Sequence, residues 1–221
     1  MEQQTGMNKS ELILSREGLS QWLTSMPSVR QRRGVERSLK QRELFKLYPD
    51  PARLLVDYSP ALQANIVKSG LTLAEISKKD IIPTLGLLSG TYGEETPLEW
   101  LRIQIGSLND YAEQGRGITP AQLSELCSLI LSEYYYLNLG EFCMFIARFK
   151  LGYYGEFFGA IGPMKIVNSL RDFMRERISD IERYEREEKR MLDERMREEW
   201  QKTAISHEEY LRQREKRSSD E

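Results

Sequence analysis

The sequence predicts an all-α protein, a compact multi-helix bundle with a long charged C-terminal helix. Two observations lead to this fold class. Apolar residues recur at spacings of three and four through most of residues 96–181, which is the period of a helix with one buried face. Sustained alternation of apolar and polar residues over valine-rich runs, the pattern of a strand, is absent. We therefore expect helices that pack against one another around one core.

Composition divides the chain into three expected parts. Of its 221 residues, 40% are hydrophobic and 30% are charged, and the charges are unevenly placed. We expect an N-terminal amphipathic segment and basic arm in residues 1–49, a helical core domain in residues 50–181, and a charged C-terminal helical extension in residues 182–221. The net charge of −2 argues against general adhesion of the whole molecule to nucleic acid.

The N-terminal part contains an amphipathic segment, residues 12–23, and then the strongly basic residues 30–46. This basic stretch has seven basic and two acidic residues. One interpretation is a solvated, partly disordered linker. The other is contact with nucleic-acid phosphates, because each Lys or Arg that neutralises a phosphate releases counterions. The candidate nucleic-acid-binding residues of this arm are Arg30, Arg32, Arg33, Arg37, Lys40 and Arg42.

Four helix starts are marked by a capping residue followed three positions later by Glu or Gln. Residues 96–99 and 119–122 combine an N-cap threonine with proline at N1. The hydroxyl accepts a bond from the N3 amide while the N3 side chain reaches back to the N-cap amide. Residues 72–75 and 138–141 are weaker versions of the same device. We expect helices to begin at these four points, which are Thr72, Thr96, Thr119 and Asn138.

Residues 71–76 look like the opening helix of a helix-turn-helix, a motif whose second helix reads the major groove of DNA. Two features argue against that motif. Residues 77–80 stand where it usually has a glycine or another small residue, and Pro83 would interrupt the second helix. The favoured interpretation is a short capped helix followed by a proline turn.

Residues 148–158 interleave bases, aromatics and glycines, and glycines continue through a turn-rich connector that ends at Pro163. Aromatic rings beside cations can grip single-stranded nucleic acid by stacking. The candidate residues for this second, weaker site are Arg148, Lys150, Tyr153 and Tyr154. The alternative, which we favour, is a helix end whose bases complement the helix dipole and whose aromatics cover the core.

Residues 163–200 predict one long helix. Its apolar face continues to Ile181, and the charged part that follows carries acid–base pairs four residues apart, an arrangement that stabilises isolated helices. We expect this helix to start docked on the core and to continue into solvent. One interpretation is a single stabilised helix. The other is a short coiled coil through which the protein forms a homo-oligomer, although Glu188 and Arg195 fall on its seam and weaken it.

The sequence offers no constellation for catalysis, for a cofactor or for a metal. The single histidine, His207, lies in the charged C-terminal part, and Cys127 and Cys143 lack both a CxxC spacing and a histidine partner. No glycine-rich phosphate loop is present. Neither a signal peptide nor an apolar run of membrane-spanning length is visible. We expect a cytoplasmic, non-enzymatic protein that does not contact a membrane.

Residues 118–177 resemble an uncharacterised helical family found in gut-bacterial phages and integrated mobile elements. The resemblance rests on residues 132–137 and 148–159, and residues 101–111 extend it upstream. It implies a small accessory protein of element replication, without an established activity or assigned functional residues. An acidic residue expected shortly before the final helix is replaced here by Gly162 and Pro163.

Together these observations predict an accessory or adaptor protein in the DNA transactions of a phage or mobile element, with replication as the specific expectation. The alternative is a protein-binding or self-associating helical module without a nucleic-acid role. The basic arm favours the first function and the charged helix favours the second. The sequence does not name the protein or nucleic acid that would be the partner.

Overall fold

The computed structural model of the protein describes residues 29–113, 117–156 and 160–203. Within them the chain forms nine α-helices and one short 3-10 helix, and no strand is present. The predicted fold class is confirmed. The predicted amphipathic segment, residues 12–23, and His207 lie outside the described residues. The helices are α1 (Val29–Leu47), α2 (Pro51–Asp57), α3 (Ala61–Lys68), α4 (Leu73–Ser77), α5 (Leu85–Tyr92), α6 (Glu95–Gly106), α7 (Pro120–Glu133), α8 (Leu139–Lys150) and α9 (Pro163–Thr203).

Helix α8 is the centre of the core. Every residue of α8 except Arg148 and Lys150 is buried, and the helix contacts α3, α4, α6 and α9. A helix that is apolar on most of its circumference must be surrounded by other elements, which explains this central place. A row of aromatic rings crosses α8, with neighbouring ring centroids 5.5–5.6 Å apart. It runs from Trp100 of α6 through Phe142 and Phe145 of α8 to Phe173 of α9.

Three of the four predicted helix starts are confirmed, each as a complete capping box, at Thr72, Thr119 and Asn138. The prediction at Thr96 is wrong, because the N-cap of α6 is Glu94, two residues earlier, and the helix begins at Glu95. Pro97 therefore lies inside the first turn. Its missing N–H costs nothing there, since first-turn amides have no carbonyl partner within the helix.

Helix α1 corrects one interpretation of the basic stretch. Residues 29–47 form a continuous helix that packs against α5, so the linker interpretation is wrong for them. Leu44 is buried in the core, and the Tyr92 hydroxyl donates a hydrogen bond to the Tyr48 carbonyl oxygen at 2.6 Å. Gly90 of α5 faces the side chains of Gln41 and Arg37 of α1, which would have to move if this residue carried a Cβ. A few inward contacts thus outweigh the basic composition.

Helix α9 has 41 residues and is about 60 Å long at 1.5 Å per residue. Its first half docks on the core through Ile166, Leu170, Phe173 and Met174, all of which are buried. From Glu185 to Lys202 every described side chain is exposed. The predicted docked start and projecting end are both present. No helix in the described ranges is long and apolar enough to cross a membrane.

Candidate functional site

A cleft of about 410 Å³ opens where α1, the loop from α4 to α5, the link from α7 to α8, and α9 meet. Arg37 and Lys40 of α1 form one wall, and Tyr135 and Tyr136 of the α7–α8 link form another. Arg177 of α9 lies at the floor. Ligand pockets typically have volumes of about 300–1,000 Å³, so the cleft is large enough for a small molecule.

The floor of the cleft holds a buried ion pair. The Glu141 side chain is 1% exposed and accepts a hydrogen bond from Arg177 Nε on its Oε1 at 2.6 Å. Its other oxygen accepts from the Asn138 backbone N–H at 2.9 Å, as the capping box requires. Arg177 also donates from Nη2 to Ser77 Oγ at 3.1 Å. Both carboxylate oxygens are therefore satisfied, and the pair ties α9 to α4 and α8.

Backbone pairing holds the tyrosine wall in place. Residues 135–139 run beside residues 83–86, with hydrogen bonds from the Gly86 amide to the Tyr135 carbonyl oxygen at 2.7 Å and from the Leu139 amide to the Pro83 carbonyl oxygen at 3.0 Å. Gly86 permits this contact, because a Cβ there would lie 3.1 Å from the Tyr135 ring. The rings of Tyr135 and Tyr136 meet edge to face, with centroids 5.6 Å apart. Both side chains remain exposed toward solvent.

The rim of the cleft carries a salt bridge and two further cations. Lys40 Nζ donates to Asp80 Oδ1 at 2.8 Å, and this bond raises the pKa of Lys40 and lowers the pKa of Asp80. The bridge joins α1 to the α4–α5 loop across the cleft. Arg37 and Lys79 also line the cleft, and neither has a carboxylate partner within 4 Å among the described residues. Glu36 also lines the cleft, 3.8 Å from Lys40, so four cations and three carboxylates leave it a net charge of +1.

These side chains supply charge and hydrogen-bond donors. Among the described residues, no group of three or more His, Cys, Asp or Glu side chains is arranged to hold a metal ion. Burial raises the pKa values of both Cys127 and Cys143 to about 12, so the reactive thiolate form of each is scarce at neutral pH. The geometry is suited to recognition of a ligand.

The structure divides the predicted phosphate-contacting residues of the basic arm. Arg37 and Lys40 face the cleft, whereas Arg42 lies on another side of α1, in a shallow groove with Phe45 and Lys46. The remaining candidates of the arm lie in the first part of α1, and their side chains fall outside the described part of the chain; they are Arg30, Arg32 and Arg33. The basic residues of the arm therefore do not form one patch in the described part of the chain.

The second predicted nucleic-acid site is at the other end of α8 and is engaged internally. Arg148 Nη1 pairs with Glu176 at 2.8 Å, and its guanidinium lies over the Tyr153 ring. Tyr154 is half-buried against Phe145. These contacts favour the interpretation of residues 148–154 as a helix end that covers the core.

Lys150, also of that site, belongs to a buried polar network. Its Nζ donates to Gln63 Oε1 and to Ser107 Oγ, both at 2.9 Å, and burial lowers its pKa. Gln63 in turn donates to Gln104 Oε1 at 2.7 Å, and Gln104 donates to the Tyr58 carbonyl oxygen at 2.7 Å. Lys150 thus connects α8 to α3 and α6.

Sequence reasoning missed the residues that make the cleft a candidate site, namely Lys79, Asp80, Tyr135, Tyr136, Glu141 and Arg177. One signal was present, since the capping box from Asn138 to Glu141 was recognised as a helix start. Within one helical turn, Glu141 looks like an ordinary capping residue. Its second role, as the partner of a cation, is not visible there because Arg177 lies on a different helix.

The burial of the two thiols gives a direct chemical prediction. We expect Cys127 and Cys143 in the native protein to react with a disulfide reagent at pH 8 about a thousandfold more slowly than in denaturant, because the thiolate is the reacting species. The absorbance of the released thiol measures both rates. The single variants Cys127→Ser and Cys143→Ser assign each rate, and a native rate equal to the denatured rate for either thiol would contradict the buried placement.

No curated protein and no solved structure matches the chain. One family model matches the C-terminal half of the sequence, from the start of α7 through α9. The matched part includes the Glu141–Arg177 pair and the tyrosine wall but not α1, α4 or α5. This agrees with the predicted resemblance to an uncharacterised helical family. Over residues 118–220 the chain matches the model of a family of unknown function, DUF6633.

Proposed function

We propose that the protein is a non-enzymatic adaptor that pairs with a second copy of itself through the projecting end of α9, residues 189–203. The observation that carries the proposal is the exposure of four large apolar side chains in this charged segment. Their exposed fractions lie between 41% and 64%, and they are Met191, Leu192, Met196 and Trp200.

The docked half of α9 fixes the direction of the projecting end. The Glu141–Arg177 ion pair is followed by a bond from the Ala74 amide to Asp180 at 3.0 Å. Farther along, Lys78 Nζ pairs with Glu188 at 2.5 Å and lies over the Tyr184 ring. These contacts hold α9 against α8 and the region of α4 up to Glu188. The projecting end therefore leaves the core as the continuation of an anchored helix, which lowers the entropic cost of presenting it to a partner.

The apolar residues of the projecting end lie on one stripe. Leu192, Met196 and Trp200 are spaced by four residues, which keeps them within one side of the helix over two turns. Glu188, which weakens the seam predicted from sequence, is already paired with Lys78 of the core. The stripe thus begins just after the last docking contact. Contiguous exposed apolar surface rimmed by charge is typical of a protein-binding site.

The charge pattern favours a second copy as the occupant. Basic and acidic residues alternate in short blocks along residues 189–199. Residues 189–199 contain four basic and four acidic residues, so two copies of this segment carry no net charge that would repel them. Opposite charges beside a helix–helix seam set partner choice and orientation. An antiparallel copy that places Leu192 opposite Met196 brings the two apolar stripes face to face.

Sedimentation equilibrium tests the pairing. We expect the full-length chain to have twice its monomer mass of 25.8 kDa and the double variant Leu192→Lys/Met196→Lys to have the monomer mass, because two lysines would be buried without partners. Ile178→Lys is the matched control, since Ile178 is an exposed apolar residue of α9 outside the stripe. A wild-type chain that stays monomeric at about 100 μM, or a control that also dissociates, would reject the proposal.

A second candidate function, contact with DNA in the replication of a phage or mobile element, is supported by α1. This helix exposes Arg42 and Lys46 on a side that Leu44 does not use for packing, and Arg37 remains exposed at the cleft. Basic side chains on a helix that is already anchored can contact phosphates without the entropic cost of ordering the backbone. An accessory factor of this kind would bind DNA with little dependence on its sequence.

Fluorescence anisotropy with labelled double- and single-stranded DNA measures this second function. Binding should weaken at least tenfold between 50 and 200 mM salt. The variant Arg42→Ala/Lys46→Ala should bind more weakly still, because fewer phosphate contacts release fewer counterions on binding. Arg175→Ala/Arg183→Ala, which removes two exposed arginines of α9, is the control for the loss of positive charge. Salt-insensitive anisotropy, or equal losses in both variants, would remove DNA contact by α1 from consideration.

A further inference from the structure

We propose that the cleft between α1 and the α7–α8 link binds a small phosphate monoester that carries an aromatic ring, the chemistry of a nucleoside monophosphate. The proposal is independent of the pairing of α9, because none of the cleft residues belongs to the projecting end. It rests on three features of the cleft, which are its unpaired cations, its tyrosine wall and its well-supported floor.

Four cations and three carboxylates line the cleft, which gives it a net charge of +1 and favours an anionic ligand. Two of the cations are already paired, since Lys40 lies near both Asp80 and Glu36, and Arg177 pairs with Glu141. Arg37 and Lys79 remain without an anionic partner among the described residues. Arg37 Nη2 donates a long hydrogen bond to the Gly86 backbone carbonyl oxygen, at 3.5 Å. A phosphate monoester carries a charge of about −1.5 to −2 at pH 7, so it attracts both unpaired cations. Arginine also matches phosphate geometry with paired donors.

The tyrosine wall provides the surface for an aromatic ring. Tyr135 and Tyr136 are among the large exposed apolar side chains of the core domain, and both line the cleft. Their backbone is fixed by pairing with residues 83–86, so the rings are presented without further ordering of the chain. Bases stack on tyrosine rings with little dependence on the identity of the base. The side chains thus favour a ring next to the phosphate-binding cations.

The floor makes the cleft a supported site. Glu141 is almost fully buried and holds Arg177 in one orientation, with Ser77 as a third partner. Asn138, also buried, bonds through its amide to the Ile76 carbonyl oxygen at 2.9 Å. Because these polar groups are mutually satisfied, the floor does not need a ligand to be stable. A binding surface whose supporting residues are already fixed loses little entropy when a ligand enters.

Isothermal titration calorimetry of the full-length chain tests the proposal with AMP, GMP, CMP and UMP. We expect 1:1 binding, and affinities for adenosine alone and for inorganic phosphate alone that are each about tenfold or more below that for AMP, because each lacks one of the two recognised groups. Similar affinities for the four nucleotides should follow from stacking on tyrosine. The absence of binding for all four at millimolar concentrations would overturn the proposal.

Two matched pairs of variants locate the site. Arg37→Gln/Lys79→Gln should weaken AMP binding by about tenfold or more, whereas Arg42→Gln/Lys46→Gln, which removes the same amount of charge outside the cleft, should leave it within about twofold. Tyr135→Leu should weaken binding of AMP but not of phosphate, and Tyr153→Leu, exposed at the far end of α8, should change neither. An equal loss in Arg42→Gln/Lys46→Gln would mean general attraction by the basic surface and would contradict a site in the cleft. Thermal melting shows whether each variant is folded. If the double variant loses affinity because it unfolds, the milder variant Arg37→Lys is measured in its place, and we expect its affinity for AMP to be intermediate.

Discussion

Replacing Arg177 by leucine is expected to lower the free energy of unfolding by about 3 kcal/mol. The cause is the Glu141 carboxylate, whose side chain is 1% exposed and which would remain in the core without its cation. The substitution also removes the bond from Arg177 to Ser77, so α9 loses its polar anchor to α4 and α8. Urea denaturation followed by circular dichroism measures the change. Breaking one side of a buried pair costs more than the pair contributes, because the remaining charge cannot reach water.

A rescue experiment separates the stranded charge from the lost contact. Glu141→Gln in the Arg177→Leu background should recover at least about half of the lost stability, because glutamine still accepts the capping bond from the Asn138 amide but carries no charge. Arg175→Leu is the matched control two residues earlier on α9. Its ion pair with Asp172 is exposed, with side chains 74% and 53% accessible, so its loss should cost less than about 1 kcal/mol. Equal effects of Arg175→Leu and Arg177→Leu would refute the special role of the buried pair.

Replacing Trp100 by alanine is expected to lower the free energy of unfolding by about 4 kcal/mol. The Trp100 side chain is 0% exposed and packs edge to face against Phe142 of α8, with ring centroids 5.5 Å apart. Its Nε1 donates to the Tyr58 carbonyl oxygen at 2.8 Å, so the substitution removes a buried hydrogen bond as well as a large apolar volume. The cavity would lie between α6 and α8, where the surrounding helices are held by other contacts and cannot collapse fully.

The second described tryptophan provides the comparison for Trp100. Trp200 lies in the projecting end of α9 and is 64% exposed, so Trp200→Ala should change the stability of the core by less than about 1 kcal/mol. Trp100→Phe, which keeps an aromatic ring, should fall between the two alanine variants. Denaturation by urea measures all three, and the monomeric double variant of α9 is the suitable background because it removes any contribution of pairing. A loss below about 1 kcal/mol for Trp100→Ala would contradict its place in the core.

The positions of most helices could be predicted because their signals are local. The capping boxes at Thr119 and Asn138 join residues within one turn, so the sequence contains every partner that the cap requires. Helix α6 shows the limit of such signals. Its threonine and proline satisfy the pattern of a helix start, but the helix extends earlier because first-turn residues need no carbonyl partner. Helix ends are therefore less certain than the presence of a helix.

Helix α1 and the second predicted nucleic-acid site show where composition misleads. Seven bases in residues 30–46 are consistent with a solvated linker, yet Leu44 and Tyr48 are enough to dock that stretch as a helix on α5. Lys150 looks like an available cation in the sequence, yet its partner Gln63 belongs to a helix far earlier in the chain. A charged residue is available for a ligand only when its neighbours in space leave it unpaired.

The sequence by itself determined the all-α class, three helix starts and the long helix that docks first and projects later, because these follow from residues within a few turns of one another. The tertiary structure alone decided which charges are paired, where the cleft lies and which stripe of α9 stays exposed. Arg37, Asp80, Tyr135, Glu141 and Arg177 meet only after five separate segments have packed together. The energy of such pairings depends on distance and burial between elements, which no local pattern encodes.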